Sequence, residues 1–517
     1  MKRAFRGLRR RPPRGRYDAV VVGAGVGGLV AANLLAREGL SVLLVEQHYM
    51  VGGYCSTFRR AGFTFDASTH FYPLLGNPKT LPGRLLADLG VTTRWVKMDP
   101  VDTFHFPDGT RFEVPADYEP YRARLDAEFP AERQALEAFF EEVRAAYLLG
   151  LLCYFRNRPT ERLGRFRGMT VRQVLDRFFE SEKLKLLLTA DCPHWGSPPC
   201  RTSFVFDSML RLSYFLGNYY PVGGSQAFAD ELARCFEARG GEILMSSRVE
   251  RIRVVDGTVR GVDVETTRGP LRGRRRVDSP AVLSNADLTT TWERLLGPSH
   301  LSRRERRELR RMKGMRPSFP CFLSHIGLKG GDGEALERAQ GYYWARWDPD
   351  RVGRDALVCK VFVPTLYDPG LAPPGDHIII LQKVQEMDYG AVEDWPRHKA
   401  AVEGFVTDHL ERVLPGIRRR IAVQMSASAA TARRFTWNTA GAMLGWEMSP
   451  EQLGEARPGV VGPVPGLFQV GHWVRPGGGI TPVIVSAVQA AEAVTGSSRH
   501  SLGAMAPRTA PLAAASG

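Results

Sequence analysis

The stretch Ala19-Val20-Val21-Val22-Gly23-Ala24-Gly25-Val26-Gly27-Gly28 decides how this chain of 517 residues folds. Its four opening apolar residues predict a parallel strand buried on both faces, and Gly23 stops that strand. Val30, Leu34 and Leu35, with Ala31 and Ala32 among them, predict the apolar face of a helix that Gly39 closes after Arg37 and Glu38. A second strand, Val42–Val45, follows and ends at Glu46. Glycines spaced GxGxxG say little alone, but between a strand and a helix they predict a turn built around a dinucleotide. Gly23 permits the tight turn, Gly25 lets bare backbone approach a pyrophosphate, and Gly28 lets helix and strand pack closely. Glu46 stands near the spacing that accepts hydrogen bonds from a ribose. The uncharged stretch 19–36 is about long enough to cross a bilayer, yet four glycines so near one another suit a strand turning sharply into a helix instead.

Length and 44% hydrophobic content predict two domains rather than one core. The net charge of +15 comes mostly from arginines spread along the chain, with the sharpest concentration in residues 1–16. That arm holds eight basic residues and no acid, together with Pro12, Pro13 and Gly15, and is expected to be disordered. It lacks the aromatic-studded basic face of a nucleic-acid site. Attraction to anionic lipid head groups and a merely solvating role both remain open for it. No small-residue cleavage pattern follows, so no signal peptide is expected. Seven scattered cysteines show neither zinc spacing nor disulfide density, which implies no metal site and reduced thiols in a cytoplasmic protein, with peripheral contact at the inner face of a membrane as an option.

Two further glycine segments carry a resemblance. Val51-Gly52-Gly53-Tyr54-Cys55-Ser56-Thr57-Phe58 resembles the second glycine motif of large flavoprotein oxidoreductases, which selects FAD over NAD. Near the other end, Gly466-Leu467-Phe468-Gln469-Val470-Gly471 reads as a strand ending in glycine, and Pro476-Gly477-Gly478-Gly479 leads into a helix. The pattern from Tyr17 to about Thr495 resembles the phytoene desaturase, carotenoid isomerase and retinol saturase group. That resemblance implies an α/β fold: a discontinuous Rossmann-like FAD-binding domain of the two-glycine-motif type with an inserted α+β substrate domain. The expected division is a disordered arm over 1–16, FAD-binding parts over 17–99, 219–288 and 455–496, substrate parts over 100–218 and 289–454, and a disordered tail over 497–517. Gly471, Gly478, Gly479 and Ile480 are implied cofactor contacts, and Val249 is implied to hold adenine through its backbone. His472 stands where many flavoproteins carry an acid that binds the ribityl chain. Either it hydrogen-bonds the cofactor or it is satisfied by backbone. Thr481-Pro482 departs from the Pro-Gly pair with which phytoene desaturases commonly continue this motif.

Phe65-Asp66-Ala67-Ser68-Thr69-His70 resembles a family stretch near the flavin, Phe-Asp-x-Gly-x-His, with Ser68 replacing the glycine; Asp66 and His70 are the implied catalytic candidates. A turn-capping role for Asp66 is equally open. Asp191-Cys192-Pro193-His194-Trp195 offers a Cys/His pair without a third orienting group, which argues against a nucleophile. The apolar run 147–155, followed by five arginines from Arg156 to Arg167, reads as a buried helix or as one lying at a membrane surface. Aromatic residues of 213–220 fit either a polyene tunnel or core packing. The resemblance implies hydride exchange at flavin N5 with a hydrophobic polyene or isoprenoid, in desaturation, isomerisation or saturation. Amine oxidases share the glycine motifs, but Tyr54 stands where they commonly have arginine. Rab GDP-dissociation inhibitors share the scaffold without redox chemistry, and the intact glycines argue against that reading. No second GxGxxG lies between a strand and a helix, so electrons are expected to pass to or from an external acceptor or donor rather than an NADPH domain.

Overall fold

The computed structural model describes residues 12–156 and 158–496; most of the arm and the whole tail expected at 497–517 lie outside the described residues. Residues 14–16, counted with the disordered arm, belong to the fold instead. Arg16 bridges Asp278, and Arg14 Nε donates to Glu242 Oε1 at 2.8 Å, so the sheet edge pins them.

Ala19–Val22 is the middle strand of a five-stranded parallel sheet, ordered Glu242–Leu244, Val42–Val45, Ala19–Val22, Ala281–Ser284, Leu467–Gln469. Ala19 lies opposite Val42 on one side and Ala281 on the other. Side chains alternate along a strand, so the two sheet faces draw on different residues. Ala19 and Val21 enter a core with Leu29, Leu34 and Val488, whereas Val20 and Val22 enter another with Val249, Val262 and Trp292. Burial on both faces is why the strand reads as an unbroken apolar run. The helix Val26–Arg37 is buried on nearly every side, and it packs against helices Ser225–Ala238 and Ile480–Thr495. This α/β sheet draws its strands from three distant parts of the chain, so the Rossmann-like unit is discontinuous.

The chain leaves the sheet twice, and the two excursions meet in one seven-stranded mixed sheet. Its order is Ile421–Ala427, Cys321–Leu328, His377–Val384, Leu357–Phe362, Gly341–Trp344, Asp102–His105, Arg111–Val114. Gly341–Trp344 pairs in parallel with Asp102–His105, Tyr342 opposite Phe104, and so joins the later excursion to the earlier one. Helices Arg133–Gly150, Val171–Phe178 and Phe204–Tyr214 pack together beside it in a core that includes Phe112, Phe139 and Tyr342. The second body is therefore α+β.

Candidate active site

A cavity of about 1730 Å³ is lined by residues of both bodies. An ordinary small-molecule site occupies roughly 300–1,000 Å³, so this one accommodates a dinucleotide and a second ligand. Gly23, Gly25, Glu46, Gly52 and Gly53 line one part of it. The backbone turns at Gly23 with φ +95°, in the left-handed region. Gly28 lies behind the wall, where a Cβ would sit 2.0 Å from the Gly23 carbonyl oxygen. The helix that follows has Gly25 as its N-cap, with no side-chain cap and no acid in its first turn. Its partial positive charge is thus left for an anionic group. Ile480–Thr495 repeats the arrangement with Gly479 as N-cap, again uncapped by a side chain and without an acid. Gly471, Gly478, Gly479 and Ile480 form that side of the cavity. The helix Ser225–Ala238 also starts from a glycine, but its end is filled, because Ser225 N donates to Asp66 Oδ1 at 2.7 Å.

Glu46 accepts the backbone N–H groups of Ala24 and His48, each at 2.7 Å. Burial pushes its carboxyl above the usual range while those amides pull it back. Each oxygen retains a lone pair for a ribose hydroxyl. Val249 lines the same wall, on the strand Ser247–Val255 just before a register shift to Arg251. His472 faces the cavity, held by the Asn438 side chain and by the backbone of Met443. Its Nε2 lies 3.1 Å from Asn438 Oδ1, which also accepts Trp473 Nε1–H at 2.8 Å. Burial pulls this imidazole down to about 4, so it is neutral. Bare backbone, two open helix ends and a ribose acceptor together fit a flavin dinucleotide.

Beyond this cradle the wall becomes apolar, with Phe206, Met209, Leu210, Leu323, Val384 and Met443. His70 is on that wall. Its Nδ1–H donates to Ser68 O at 3.0 Å, and Gln382 Nε2 donates to its Nε2 at 2.9 Å. Burial, with the nearby Lys360 charge second, pulls His70 down to about 3. Asp66 does not reach the wall. Besides the Ser225 amide, its carboxylate takes the Tyr220 O–H at 2.5 Å, and it is buried between the two bodies as a helix cap. Burial raises its carboxyl above the ordinary range. Among the aromatic residues of 213–220, Tyr214 lines the cavity, while Tyr220 turns away to Asp66. His194 also lines it, accepting the Tyr342 O–H at its Nε2 at 2.5 Å, and Cys192 is fully buried elsewhere.

The sequence profile described as flavin containing amine oxidoreductase matches residues 26–495. The chain belongs to that family. It is an FAD-dependent oxidoreductase. It is 26% identical over 513 residues to prolycopene isomerase 1, chloroplastic, of an Oncidium hybrid cultivar, covering 92% of this chain and 84% of that one. Identity to the all-trans-zeta-carotene desaturase of Myxococcus xanthus is 28% over 512 residues, covering 92% and 93%. An oxidoreductase from Methanosarcina mazei shares the fold with a TM-score of 0.65 at 19% identity, covering 92% of this chain and 99% of that one.

Several wall residues of this flavin amine oxidoreductase family member stand outside the glycine motifs. Asn285 stands between the two cradles: a Cβ on Gly25, Gly27 or Gly471 would lie 2.9, 2.7 or 2.8 Å from its amide. Its place at the carboxyl end of strand Ala281–Ser284, where α/β sheets bind ligands, is the signal that marks it. Lys360 is signalled too, as a lone charge in the apolar strand Leu357–Phe362. Tyr342 and Gln382 offer no comparable cue.

Proposed function

We propose that this enzyme exchanges hydride between its flavin and a carbon of a hydrophobic polyene or isoprenoid, so that a C–C bond is desaturated, saturated or isomerised. The observation that carries the reading is a dinucleotide cradle opening directly into an apolar chamber walled by Phe206, Met209, Leu210 and Leu323. The names of the isomerase and the desaturase to which the chain is similar support it. Bound FAD supplies the hydride-exchanging centre. The chain's own part is to hold and orient: the glycine segments admit the cofactor, and the open end of Ile480–Thr495 favours negative charge beside it. Apolar walls bind the substrate and exclude water. Electrons pass to or from an external partner. Holoenzyme incubated with phytoene, poly-cis lycopene and retinol, with products resolved by chromatography, tests the proposal; no conversion of any of the three would overturn it.

The site is also suited to a substrate drawn from a bilayer surface. The apolar run 147–155 ends the helix Arg133–Gly150 in a wider π-helical turn, Leu151–Phe155. Tyr147, Leu151, Tyr154 and Phe155 line the cavity, while Leu148 is 60% exposed. Exposed Arg156, Arg158, Arg162, Arg165 and Arg167 follow, as anionic head groups would require. Among the described residues no helix is long and apolar enough to cross a membrane. Flotation with anionic vesicles checks this contact, and Leu148→Glu is expected to weaken it.

A further inference from the structure

One buried charge takes no part in the chemistry above, and it lies directly behind the flavin cradle. Arg457 follows the short turn Gly454–Ala456 and is 0% exposed. The hydrogen bonds of its guanidinium all go to main-chain carbonyls. Nε donates to Gln452 O at 3.2 Å, Nη2 to Trp446 O at 2.9 Å and to Glu447 O at 3.0 Å, and Nη1 to His472 O at 3.4 Å. Nη1 also abuts Gly477, where a Cβ would lie 2.4 Å from it. His472, Trp473, Pro476 and Gly478 line the cavity, but Gly477 does not. The missing side chain of Gly477 therefore makes room for the guanidinium behind the wall, and one thickness of backbone separates the cation from the cavity.

A buried charge is normally matched by an opposite one. Arg457 has no carboxylate partner among the described residues. Glu447, whose carbonyl it binds, gives its carboxylate to Arg201 at 2.7 Å and to Arg316 at 3.0 Å. Tyr154, the ionisable group that acts on Arg457, stands on the cavity wall with its hydroxyl pushed up by burial, and so is neutral. Burial pulls the guanidinium down to about 9, which leaves it charged at neutral pH. That charge is felt at the wall, because after burial it is among the causes that keep the His472 imidazole neutral. Carbonyl dipoles offset part of the cost of burying a cation, yet a full positive charge remains beside the site of an anionic cofactor, in surroundings that screen it little.

We infer that Arg457 is a fixed counter-charge for the flavin, a positioning residue that acts through the backbone from His472 to Gly478 to stabilise the negative charge the ring gains on reduction. Two electrons and one proton entering the oxidised ring leave it with one negative charge, and a cation held behind the cradle favours that step whatever the substrate. A guanidinium that only tied the loop 446–452 to the cradle would leave the electron affinity of bound flavin unchanged. The test equilibrates full-length holoenzyme with a reference redox dye and reads the ratio of reduced to oxidised flavin by absorbance at one fixed dye poise. Arg457→Gln keeps donors for the carbonyls and removes the charge; it is expected to lower that ratio about tenfold, the size of effect one partly screened charge has inside a protein. Arg457→Lys keeps the charge and loses the fork, and is expected to stay within about threefold of wild type. A ratio unchanged in Arg457→Gln, or lowered equally in both variants, overturns the inference and leaves Arg457 a clamp. If the glutamine variant holds no flavin, the wild type decides. Its reduced flavin is expected to keep the absorbance of the anion below the pH at which free reduced flavin takes up a second proton, and a neutral reduced flavin there overturns the inference.

Discussion

The two ends of the cavity are built by opposite means. At the cradle the working surface is main chain, and its essential feature is the absence of side chains at Gly25, Gly52, Gly471 and Gly478. At the far corner the wall is side chains, and His194, Tyr342 and Lys360, with Asp102 paired to Lys360 at 2.7 Å behind them, arrive from segments that only tertiary pairing brings together. A surface made of backbone tolerates no addition, whereas a network of paired side chains tolerates removal when both partners go at once. The predictions below separate these two kinds of dependence.

The largest effect belongs to the cradle. At Gly28 a Cβ would sit 2.0 Å from the Gly23 carbonyl oxygen, and at Gly478 it would sit 2.3 Å from the Leu444 carbonyl oxygen. Neither obstacle is a flexible side chain. Gly28→Val is expected to cost more than about 4 kcal/mol and to abolish folding, and Gly478→Val to give protein without flavin. Soluble expression and the flavin-to-protein absorbance ratio read both outcomes. A yellow Gly28→Val protein would mean that the turn opens freely and that the contrast drawn above is false.

Next comes the buried pair of the corner. Lys360 is 2% exposed and Asp102 is 9% exposed. Lys360→Met leaves the carboxylate unpaired and is expected to destabilise the protein by about 3–5 kcal/mol. Lys360→Met with Asp102→Leu removes both charges and is expected to recover most of that loss, to within about 1 kcal/mol of wild type. Denaturant midpoints of the two variants decide it, and a double variant no better than the single one would mean that the corner is as unforgiving as the cradle.

A smaller, pH-dependent effect comes from the buried histidines of the cavity, His472 in the cradle included. Burial pulls His70 down to about 3 and His325, on the strand Cys321–Leu328 and also on the cavity wall, down to about 4. In the unfolded chain both would titrate near ~6.5. Below that value the unfolded state binds protons that the folded state refuses, so stability falls as the pH drops and is flat above it. The expected slope is roughly 1.4 kcal/mol per pH unit for each histidine, continuing down to the folded values. Glu46 in the cradle acts with the opposite sign, because its raised pKa makes the folded state the better proton binder. His325→Gln should flatten the acid-side slope, and an unchanged slope would show that its ring is not held neutral.

The same contrast explains what the sequence revealed. The first strand, turn and helix were legible because each depends on neighbours within a few residues, and the alternation of Val20 and Val21 between two cores follows from the apolar run itself. The cradle glycines were legible because a missing side chain is visible in sequence wherever it falls. Pairing of Gly341–Trp344 with Asp102–His105 was not, since no local signal fixes which strands meet across such a separation. For the same reason the direction in which Asp66 points could not be read: the amide it caps is 159 residues away. In the aromatic stretch 213–220 the helix gives way to the strand Asn218–Pro221, and that change sends Tyr214 to the cavity and Tyr220 away from it.

Asp66 is therefore where the smallest effect is expected, and where it is most informative. As a cap, its Oδ1 needs only to accept the Ser225 amide, and its Oδ2 the Tyr220 hydroxyl. Asp66→Asn keeps the first acceptor, and the Tyr220 hydroxyl can rotate to accept from the new amide, so the cost should be about 1 kcal/mol. Flavin content and turnover should stay within about threefold of wild type, since no proton of the reaction passes through a group that is off the cavity wall. Asp66→Ala loses both bonds and should cost about 2 kcal/mol, again with its effect on stability rather than on rate. If Asp66 were the acid or base of the reaction, the Asn variant would instead lose about a hundredfold or more in turnover while remaining stable. Stability and turnover measured on the same two variants thus move in opposite patterns under the two roles, and a hundredfold loss in a stable Asp66→Asn enzyme would move the chemistry from the flavin alone to the protein beside it.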